Sequence, residues 1–333
     1  MPTEDATYTV LVTWTDLAEP GPSMLRDAGC DVVFLTETKD KAEVDKLLGT
    51  CEIDAVISRT IELDADALRS CPSLKVISKH GVGVNNIDVD AATALCIPVT
   101  NTPGANSQSV AELTLGLMIT AARRIPWLHD HVKHGRWRRV QDGYQLGGQT
   151  LGLVGLGQVG RRVATAARAL GMAVAVFDPA IAEDDAPPGV RVCGELTDVL
   201  RMANVLSLHV PLTDGTRGLI GREQIDLLPD GSIIVNTSRG PVIHEPALVD
   251  ALRSGKLRAA GLDTTAIEPI RPDDPLLELE NVFITPHIGG STTASASAVA
   301  AAAAENLLAV LRGAAVQLDR QVNPEVFDAR GRA

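Results

Sequence analysis

The chain has 333 residues, a formal net charge of −12 and 45% hydrophobic residues. At about 150 residues per domain, this length predicts two domains, each long enough to bury its own core. The excess of Asp and Glu over Lys and Arg argues against a nucleic-acid partner, because polyanions are bound by basic surfaces.

Short runs rich in Val, Ile and Leu recur through the first hundred residues and predict strands. These runs are YTVLVT at 8–13, DVVFL at 31–35, DAVIS at 54–58, LKVIS at 74–78 and IPVT at 97–100. Between them lie apolar residues at helical spacing, such as Val44 and Leu48. This alternation predicts a parallel sheet covered by helices.

A second series of strands begins at residue 150. Its members are TLGLV at 150–154, MAVAVF at 172–177, NVLSLHV at 204–210, SIIVNTS at 232–238, LRAAGLD at 257–263 and NVFIT at 281–285. They are apolar nearly throughout, as expected when both faces of a parallel sheet are covered. The fold class is therefore α/β, with two such units.

An arm of residues 109–140 connects the two series. Its first half is rich in small and apolar residues and predicts a helix, whereas its second half is basic and carries Trp127 and Trp137. Because aromatic residues and Arg are enriched at interface hot spots, we interpret the arm as a contact with a second copy of the chain. The alternative is an interdomain linker whose tryptophans pack locally.

The segment after His287 contains the alanine run 300–304, which predicts a helix with Ser291 or Thr292 as its N-cap. The last segment, VQLDRQVNPEVFDARGRA, predicts a closing strand and a tail.

Membrane insertion, secretion and metal binding are not expected. No apolar run reaches the roughly 20 residues of a membrane-spanning helix, since Glu112 and Glu305 interrupt the longest candidates. The N-terminus lacks the basic start and apolar core of a signal peptide. The five cysteines are scattered and never spaced as CxxC, which disfavours a disulfide framework or a zinc site. The sequence predicts a cytoplasmic protein without membrane contact.

The segment GLGQVG matches the pattern Gly-x-Gly-x-x-Gly at Gly155, Gly157 and Gly160. A strand precedes it, a helix follows it, and Asp178 ends the next strand 23 positions after Gly155. This context predicts a dinucleotide site. The first glycine permits the tight turn, the second lets the backbone approach the pyrophosphate, and the third lets helix and strand pack closely.

Asp178 is predicted to accept hydrogen bonds from the adenosine ribose hydroxyls. A 2′-phosphate at that place would meet a carboxylate, and VFDPA offers no Arg beside it. The sequence therefore predicts NAD rather than NADP. The alternative is a glycine-rich turn in a flavodoxin-like domain that binds no nucleotide.

Three further polar stretches end strands of the second series: NTSRGPV with Arg239, GLDTTAIEP with Glu268, and ITPHIGGS with His287. Ligands of open parallel sheets bind beyond the carboxyl ends of the strands, so these side chains are expected to converge. Taken singly, each has a structural alternative: a helix cap, a solvated turn and a loop histidine.

Together these motifs resemble the D-isomer-specific 2-hydroxyacid dehydrogenase family. The resemblance is carried by GLGQVG with Asp178, KHGVGVNNID at 79–88, HVPLT at 209–213, NTSRG at 236–240, D-x-x-x-x-E-P at 263–269 and PHIGG at 286–290. It covers nearly the whole chain, in order. Because the chain ends soon after VNPEV, it resembles the short phosphoglycerate dehydrogenase-like form without a C-terminal regulatory domain.

The resemblance implies two Rossmann-like or flavodoxin-like parallel-sheet domains with a cleft between them. Residues 1–101 with 289–333 would form a discontinuous substrate (catalytic) domain, and 102–288 the NAD-binding domain. It also implies a homodimer built by the 109–140 arm.

The resemblance assigns catalysis to Arg239, which binds the 2-keto acid, His287, the acid/base, and Glu268, which hydrogen-bonds His287. Backbone N–H groups of the loop after the fourth strand would hold the substrate carboxylate, and Asp263 would touch the nicotinamide amide. The implied substrate-binding residues are Lys79, His80, Gly81, Val82 and Gly83. The implied cofactor-binding residues are Gly155, Gly157, Gln158, Val159, Gly160, Asp178, Val210, Pro211, Thr237, Ser238, Asp263, Gly289 and Gly290.

The implied activity is NAD-dependent interconversion of a small D-2-hydroxy acid and its 2-keto acid, of the 3-phosphoglycerate or the glyoxylate/hydroxypyruvate type. Hydride arriving at the carbonyl carbon builds charge on its oxygen, which a guanidinium stabilises and an imidazolium protonates. A carboxylate beside a histidine favours its protonated form, so reduction should weaken as the pH rises. The alternative is an NAD-sensing, corepressor-like binding protein on the same scaffold.

Two positions depart from the pattern of the family. Asn85 replaces an Asp that is usual in the substrate loop, which changes the expected hydrogen bonds of that loop. His244 stands where an Asp commonly caps a helix, and we interpret it as a substituted cap rather than a second catalytic histidine. Lys79, at the expected mouth of the cleft, is a candidate contact for an anionic substrate, as is His80 after it.

Overall fold

The computed structural model describes residues 8–38 and 40–330. The chain divides into two compact units. Unit 1 combines Met1–Asn106 with Thr292–Ala333, and unit 2 is Ser107–Ser291. The N-terminal residues that lack a signal-peptide pattern lie outside the described range.

The described residues in the first part of unit 1 form five strands and four helices. In chain order they are β1 (Thr9–Val12), α1 (Gly21–Asp27), β2 (Asp31–Phe34), α2 (Lys41–Thr50), β3 (Ala55–Ser58), α3 (Ala65–Arg69), β4 (Val76–Lys79), α4 (Val89–Ala94) and β5 (Val99–Thr100). The strands pair in parallel in the order β2-β1-β3-β4-β5, which is the flavodoxin-like order. Each of the five strands covers part of an apolar run that predicts it.

Aspartates begin three of these helices. Asp40, Asp64 and Asp88 are the N-caps of α2, α3 and α4, and each carboxylate accepts a hydrogen bond from the backbone N–H three residues later. Such caps satisfy donors that have no partner within the helix. The short helices between the strands therefore start at positions that the local sequence determines.

Unit 2 contains seven strands and six helices. They are α5 (Ser107–Arg123), α6 (Ile125–Lys133), β6 (Thr150–Val154), α7 (Gln158–Ala169), β7 (Ala173–Phe177), β8 (Val190–Val192), α8 (Leu196–Met202), β9 (Val205–Leu208), α9 (Arg222–Leu227), β10 (Ser232–Asn236), α10 (Glu245–Ser254), β11 (Leu257–Leu262) and β12 (Val282–Ile284). Its sheet has the order β12-β11-β10-β9-β6-β7-β8, and all pairs are parallel. This is the dinucleotide-fold order with one added strand.

The sheet of unit 2 separates two apolar cores. Helices α5 and α7 cover one face, where Met118 and Val163 pack against Val205. Helices α8, α9 and α10 cover the other face, where Leu248 packs in the same core as Leu206. Because both faces are covered by helices, the edge formed by the carboxyl ends of the strands is where loops are left to build a site.

The chain returns to unit 1 through α11 (Thr293–Leu311) and α12 (Pro324–Arg330). Thr292 is the N-cap of α11, as predicted, and accepts a hydrogen bond from the N–H of Ser295. The predicted closing strand is only an isolated antiparallel bridge between Thr100 and Gln321, after which α12 begins. Pro324 explains the change, since proline is favoured at the first position of a helix.

The prediction that no segment is long and apolar enough to span a membrane is wrong for α11. Its 19 residues pass that test by length and composition, with a mean hydropathy of 1.5. The test alone is weak evidence, and 44% of the apolar window is buried within the protein. Ala300, Ala303 and Leu307 of this helix are fully buried against the α1 side of the sheet. We therefore interpret α11 as a core helix of unit 1.

The arm has a helix on each side of Arg124, which adopts a left-handed conformation with φ 53°. Trp127 packs locally, with the Arg124 guanidinium 4.1 Å and the His131 ring 3.8 Å from its ring centroid. In contrast, Trp137 is 79% exposed. The arm thus combines one packed tryptophan with one that is exposed to solvent.

Gly152 tests the packing of α8 on the sheet. A Cβ at Gly152 would lie 2.6 Å from the Ala203 Cβ and 2.8 Å from a Val199 methyl. We expect Gly152→Ala to reduce the free energy of unfolding by about 1–3 kcal/mol through overpacking, measured as a lower Tm. Gly194→Ala is the control, because its Cβ would have no neighbour within 4 Å. Equal Tm values for the two variants would contradict this account of the core.

Candidate active site

Six strands of unit 2 place candidate site residues at one edge of its sheet. In chain order these are β6, β7, β9, β10, β11 and β12. Strands β6, β7 and β8 follow one another towards one end of the sheet, and the chain then returns to add β9 on the opposite side of β6. The strand order therefore reverses between β6 and β9. Ligand crevices of open α/β sheets lie at such switch points.

The glycine turn after β6 fits a backbone cradle. Gly155 has φ +95°, and a Cβ there would lie 2.5 Å from the carbonyl oxygen of His209. A Cβ at Gly160 would collide with the carbonyl of Gly155. A Cβ at Gly157 has no protein atom within 4 Å, so the approach to the start of α7 is open. The residues present therefore fit a pyrophosphate at a helix N-terminus.

Asp178, at the end of β7, supports this turn. Its carboxylate accepts hydrogen bonds from the N–H of Leu156 at 2.8 Å and from the N–H of Ala180 at 2.9 Å. The predicted ribose contact of Asp178 stays a prediction. In the first turn of α7, Gln158 is exposed and Val159 is half-buried.

The end of β9 contributes a histidine that the sequence motifs contain but do not single out. The Nε2 of His209 lies 2.9 Å from the hydroxyl of Ser207. Burial lowers the pKa of His209 to about 4, so the ring is neutral near pH 7. Its position directly after a buried strand at the switch point is the signal that could have identified it. Val210 is half-buried and Pro211 is exposed.

A buried asparagine organises the loop after β10. The Oδ1 of Asn236 accepts hydrogen bonds from the N–H and hydroxyl of Ser238, at 2.9 and 2.7 Å, and its Nδ2 donates to the carbonyl of Arg239 at 2.9 Å. The next hydroxyl, that of Thr237, lies 2.8 Å from that of Thr114 on α5. Asn at the end of a strand and two residues before Ser is a turn-forming pattern, which is the sequence signal for this role.

Arg239 is held close to the loop that follows β11. A Cβ at Gly240 would collide with the carbonyl of Thr265, so the two backbones are in contact. Burial lowers the pKa of the Arg239 guanidinium, and the nearby charge of Glu268 opposes that shift. Arg239 also donates a hydrogen bond to the carbonyl of Ser238 at 2.7 Å.

Glu268 and His287 form the central pair of the site. The His287 Nδ1 lies 2.7 Å from the Glu268 Oε2, with the side chains 45% and 39% exposed. Burial by itself would raise the pKa of Glu268, but the hydrogen bond and charge of His287 hold it below its ordinary value, together with the N–H of Thr265 and the charge of Arg239. An imidazole, a carboxylate and a guanidinium are thus brought together.

Asp263 lies beneath the His287 loop and is 1% exposed. Its carboxylate accepts hydrogen bonds from the N–H groups of Ile288 and Gly289 and from the hydroxyl of Thr285. Gly289 is buried against it, and Gly290 is half-buried. The expected contact of Asp263 with the nicotinamide stays a prediction.

The predicted substrate loop belongs to unit 1, at the end of β4. Lys79 is only 7% exposed, and its Nζ donates to the carbonyl of Arg59 and to Oδ1 of Asn86. Burial, with a contribution from the charges of Arg59 and Lys79, lowers the pKa of His80 to about 4. The Lys79 ammonium therefore forms hydrogen bonds within unit 1. Its predicted contact with an anionic substrate stays a prediction.

The rest of that loop has mixed exposure. Gly81 has φ +130° and donates its N–H to the hydroxyl of Thr102 at 3.1 Å. Val82 is 45% exposed, Gly83 is half-buried, and Asn85 is exposed.

His244 lies at the N-cap of α10, as predicted, but makes no side-chain capping hydrogen bond. His244 therefore occupies the N-cap position, but its side chain does not make the capping hydrogen bond that an aspartate would make.

Comparison with known proteins identifies the family of the chain. Residues 115–289 match the model of the D-isomer specific 2-hydroxyacid dehydrogenase NAD binding domain. The chain belongs to this family. It is 45% identical to D-3-phosphoglycerate dehydrogenase of Methanocaldococcus jannaschii over 306 residues, which are 91% of this chain and 57% of that protein.

Two further proteins are matched over most of their length. Hydroxypyruvate reductase of Thermotoga maritima is 43% identical over 265 residues, covering 78% of this chain and 85% of that protein. The structure of D-lactate dehydrogenase from Aquifex aeolicus, complexed with NAD and lactic acid, superimposes with a TM-score of 0.82 at 29% identity, covering 95% of this chain and 99% of that one. The predicted family and the predicted fold class are confirmed.

The Glu268–His287 pair predicts that the stability of the fold depends on pH. Because the pKa of Glu268 is lower in the folded chain than its ordinary value of 4.5, its charge stabilises the fold above that pH, and this contribution is lost as the pH falls through the folded value. We expect Glu268→Gln to melt below the unaltered protein at pH 7, and the two to converge at acid pH.

Thermal melts from pH 7 to pH 3 measure this difference. Glu195→Gln is the control, since Glu195 is exposed and its side chain does not cap the helix that follows. A difference for Glu268→Gln that is constant with pH would show that the charge of the carboxylate is not what stabilises the fold.

Proposed function

We propose that this chain is an NAD-dependent oxidoreductase that interconverts a small D-2-hydroxy acid and its 2-keto acid. The observation that carries the proposal is the Glu268–His287 hydrogen bond of 2.7 Å, formed on the same sheet edge as the glycine turn and Arg239. Family membership and the enzyme names of the relatives support it. They do not favour the alternative of an NAD-sensing binding protein.

NAD, when bound, supplies the hydride acceptor, and NADH supplies the hydride. On the protein side, Glu268 accepts a hydrogen bond at His287 Nδ1, which leaves Nε2 as the nitrogen that exchanges a proton with the substrate oxygen. Arg239 is the group that binds the substrate carboxylate and carbonyl, since a guanidinium stabilises the charge that develops on the oxygen.

The cofactor is assigned to unit 2 and the substrate loop to unit 1. Support for unit 2 comes from the open Gly157 position and from the match to an NAD binding domain. In unit 1, the backbone of residues 80–83 is proposed to hold the substrate carboxylate. The relatives named for D-3-phosphoglycerate and hydroxypyruvate suggest a short 2-keto acid as substrate.

We further propose a homodimer formed through the 109–140 arm. No side chain of helix α6 is fully buried, and Trp137 beyond it is 79% exposed. Exposed aromatic and Arg side chains are typical of interface hot spots. A cytoplasmic location is supported by the five cysteines, all of which are free thiols.

The proposal predicts NADH oxidation with a panel of short 2-keto acids, including glyoxylate, hydroxypyruvate and 3-phosphohydroxypyruvate. His287→Gln should lower kcat by about a hundredfold or more, because it removes general-acid catalysis, and should leave the NADH Kd unchanged. Absorbance at the NADH band and fluorescence titration measure the two quantities. No turnover with any acid at high enzyme concentration would refute the proposed activity.

Asp178 is predicted to select NAD over NADP. We expect Asp178→Asn to reduce the preference for NADH over NADPH, measured as the ratio of kcat/KM values, by about tenfold, because the variant lacks the charge that repels a 2′-phosphate. Glu183→Gln removes the same charge at an exposed position five residues later and should leave the ratio unchanged. An unaltered ratio for Asp178→Asn would remove Asp178 from the ribose site.

A further inference from the structure

Asp263 has an unusual set of partners for a residue expected to touch a cofactor. Its Oδ1 accepts a hydrogen bond from the Thr285 hydroxyl at 2.6 Å and from the Ile288 N–H at 2.9 Å, and its Oδ2 accepts one from the Gly289 N–H at 2.8 Å. All three donors belong to the loop that carries His287. The side chain is 1% exposed, so its partners are chiefly protein groups.

The loop needs such support because His287 is strained. Its φ is +54°, which is a left-handed conformation. This conformation is unfavourable in free energy for a residue other than glycine, and it persists only where the surroundings hold it. Its own N–H donates to the carbonyls of Asp263 and Thr285, both at 2.9 Å. The Asp263 carboxylate thus binds the chain two residues before and one and two residues after His287.

Only a carboxylate can accept these three hydrogen bonds from the His287 loop. An ionised Asp offers two oxygens with about four acceptor positions and no donor, and three of these positions are occupied by the loop. Asn would keep one oxygen and would turn an NH₂ group towards a backbone N–H. Space is also limited, since a Cβ at Gly289 would lie 3.0 Å from Asp263 Oδ2.

We propose that Asp263 is a positioning residue for proton transfer: it holds the His287 loop so that Nδ1 meets Glu268 and Nε2 points away from that bond. Its effect on the reaction passes through His287. This inference rests on the proposed function, in which His287 exchanges the proton.

Asp263→Asn tests the proposal. We expect kcat for 2-keto acid reduction to fall by about a hundredfold, the effect of a small misplacement of a reacting group, with an unchanged NADH Kd by fluorescence titration. Thr285→Val keeps the side-chain volume and removes one of the three donors, so it should give a smaller fall in kcat and also leave the NADH Kd unchanged. It keeps the test valid if Asp263→Asn does not fold.

A double-mutant cycle separates positioning from cofactor contact. In a His287→Gln background, Asp263→Asn should cause no further loss of kcat, because residues that act as one unit are not additive. A raised NADH Kd together with an additive loss of kcat would overturn the proposal.

A spectroscopic measurement tests the positioning independently of activity. The ¹⁵N NMR signals of the His287 ring report the hydrogen bond at Nδ1, and we expect Asp263→Asn to shift them while Asp178→Asn does not. Unchanged His287 signals in folded Asp263→Asn would overturn the proposal even if the enzyme is active. Shifted signals in a protein without turnover would support positioning and refute only the proposed activity.

Discussion

The hydrogen bond between His287 Nδ1 and Glu268 determines what the site can do. It orients the ring and favours a proton on Nδ1, and in the proposed reaction it leaves Nε2 for the substrate. The two residues are 19 positions apart and lie on loops after different strands, β11 and β12. Their meeting therefore depends on the parallel sheet, which brings both carboxyl ends to one edge.

The loops at this edge are held by buried polar groups and by glycines. Asn236 uses both ends of its amide to close the turn before Arg239. Gly240 lets that turn touch the backbone of Thr265, and Asp263 binds the next loop. Polar groups suit this task because hydrogen bonds are directional and, when buried, are costly to leave unmade. Apolar packing would allow more displacement at similar stability.

The sequence predicted secondary structure correctly wherever the pattern lies in neighbouring residues. The apolar runs predicted eleven of the twelve strands that the described part of the chain forms, since strands covered on both faces need continuous apolar side chains. The exception, β8, is three residues long, lies at the sheet edge and contains the exposed Arg191. The closing strand predicted near the end of the chain is also absent from the residues that the structure describes. The segment VQLDRQV has a strand-like composition, but within it only Gln321 forms a bridge.

The amino-acid sequence was sufficient to predict the α/β class, the order of the motifs and the residue types of the site, because these depend on short-range patterns that any similar fold would require. The hydrogen-bond partners of the polar side chains became evident only in the folded chain. Asp263 reaches a loop more than 20 residues away, and Lys79 is buried against Arg59 and Asn86 rather than exposed. Such choices depend on the distances between segments after packing, and a linear pattern of residue types does not contain those distances.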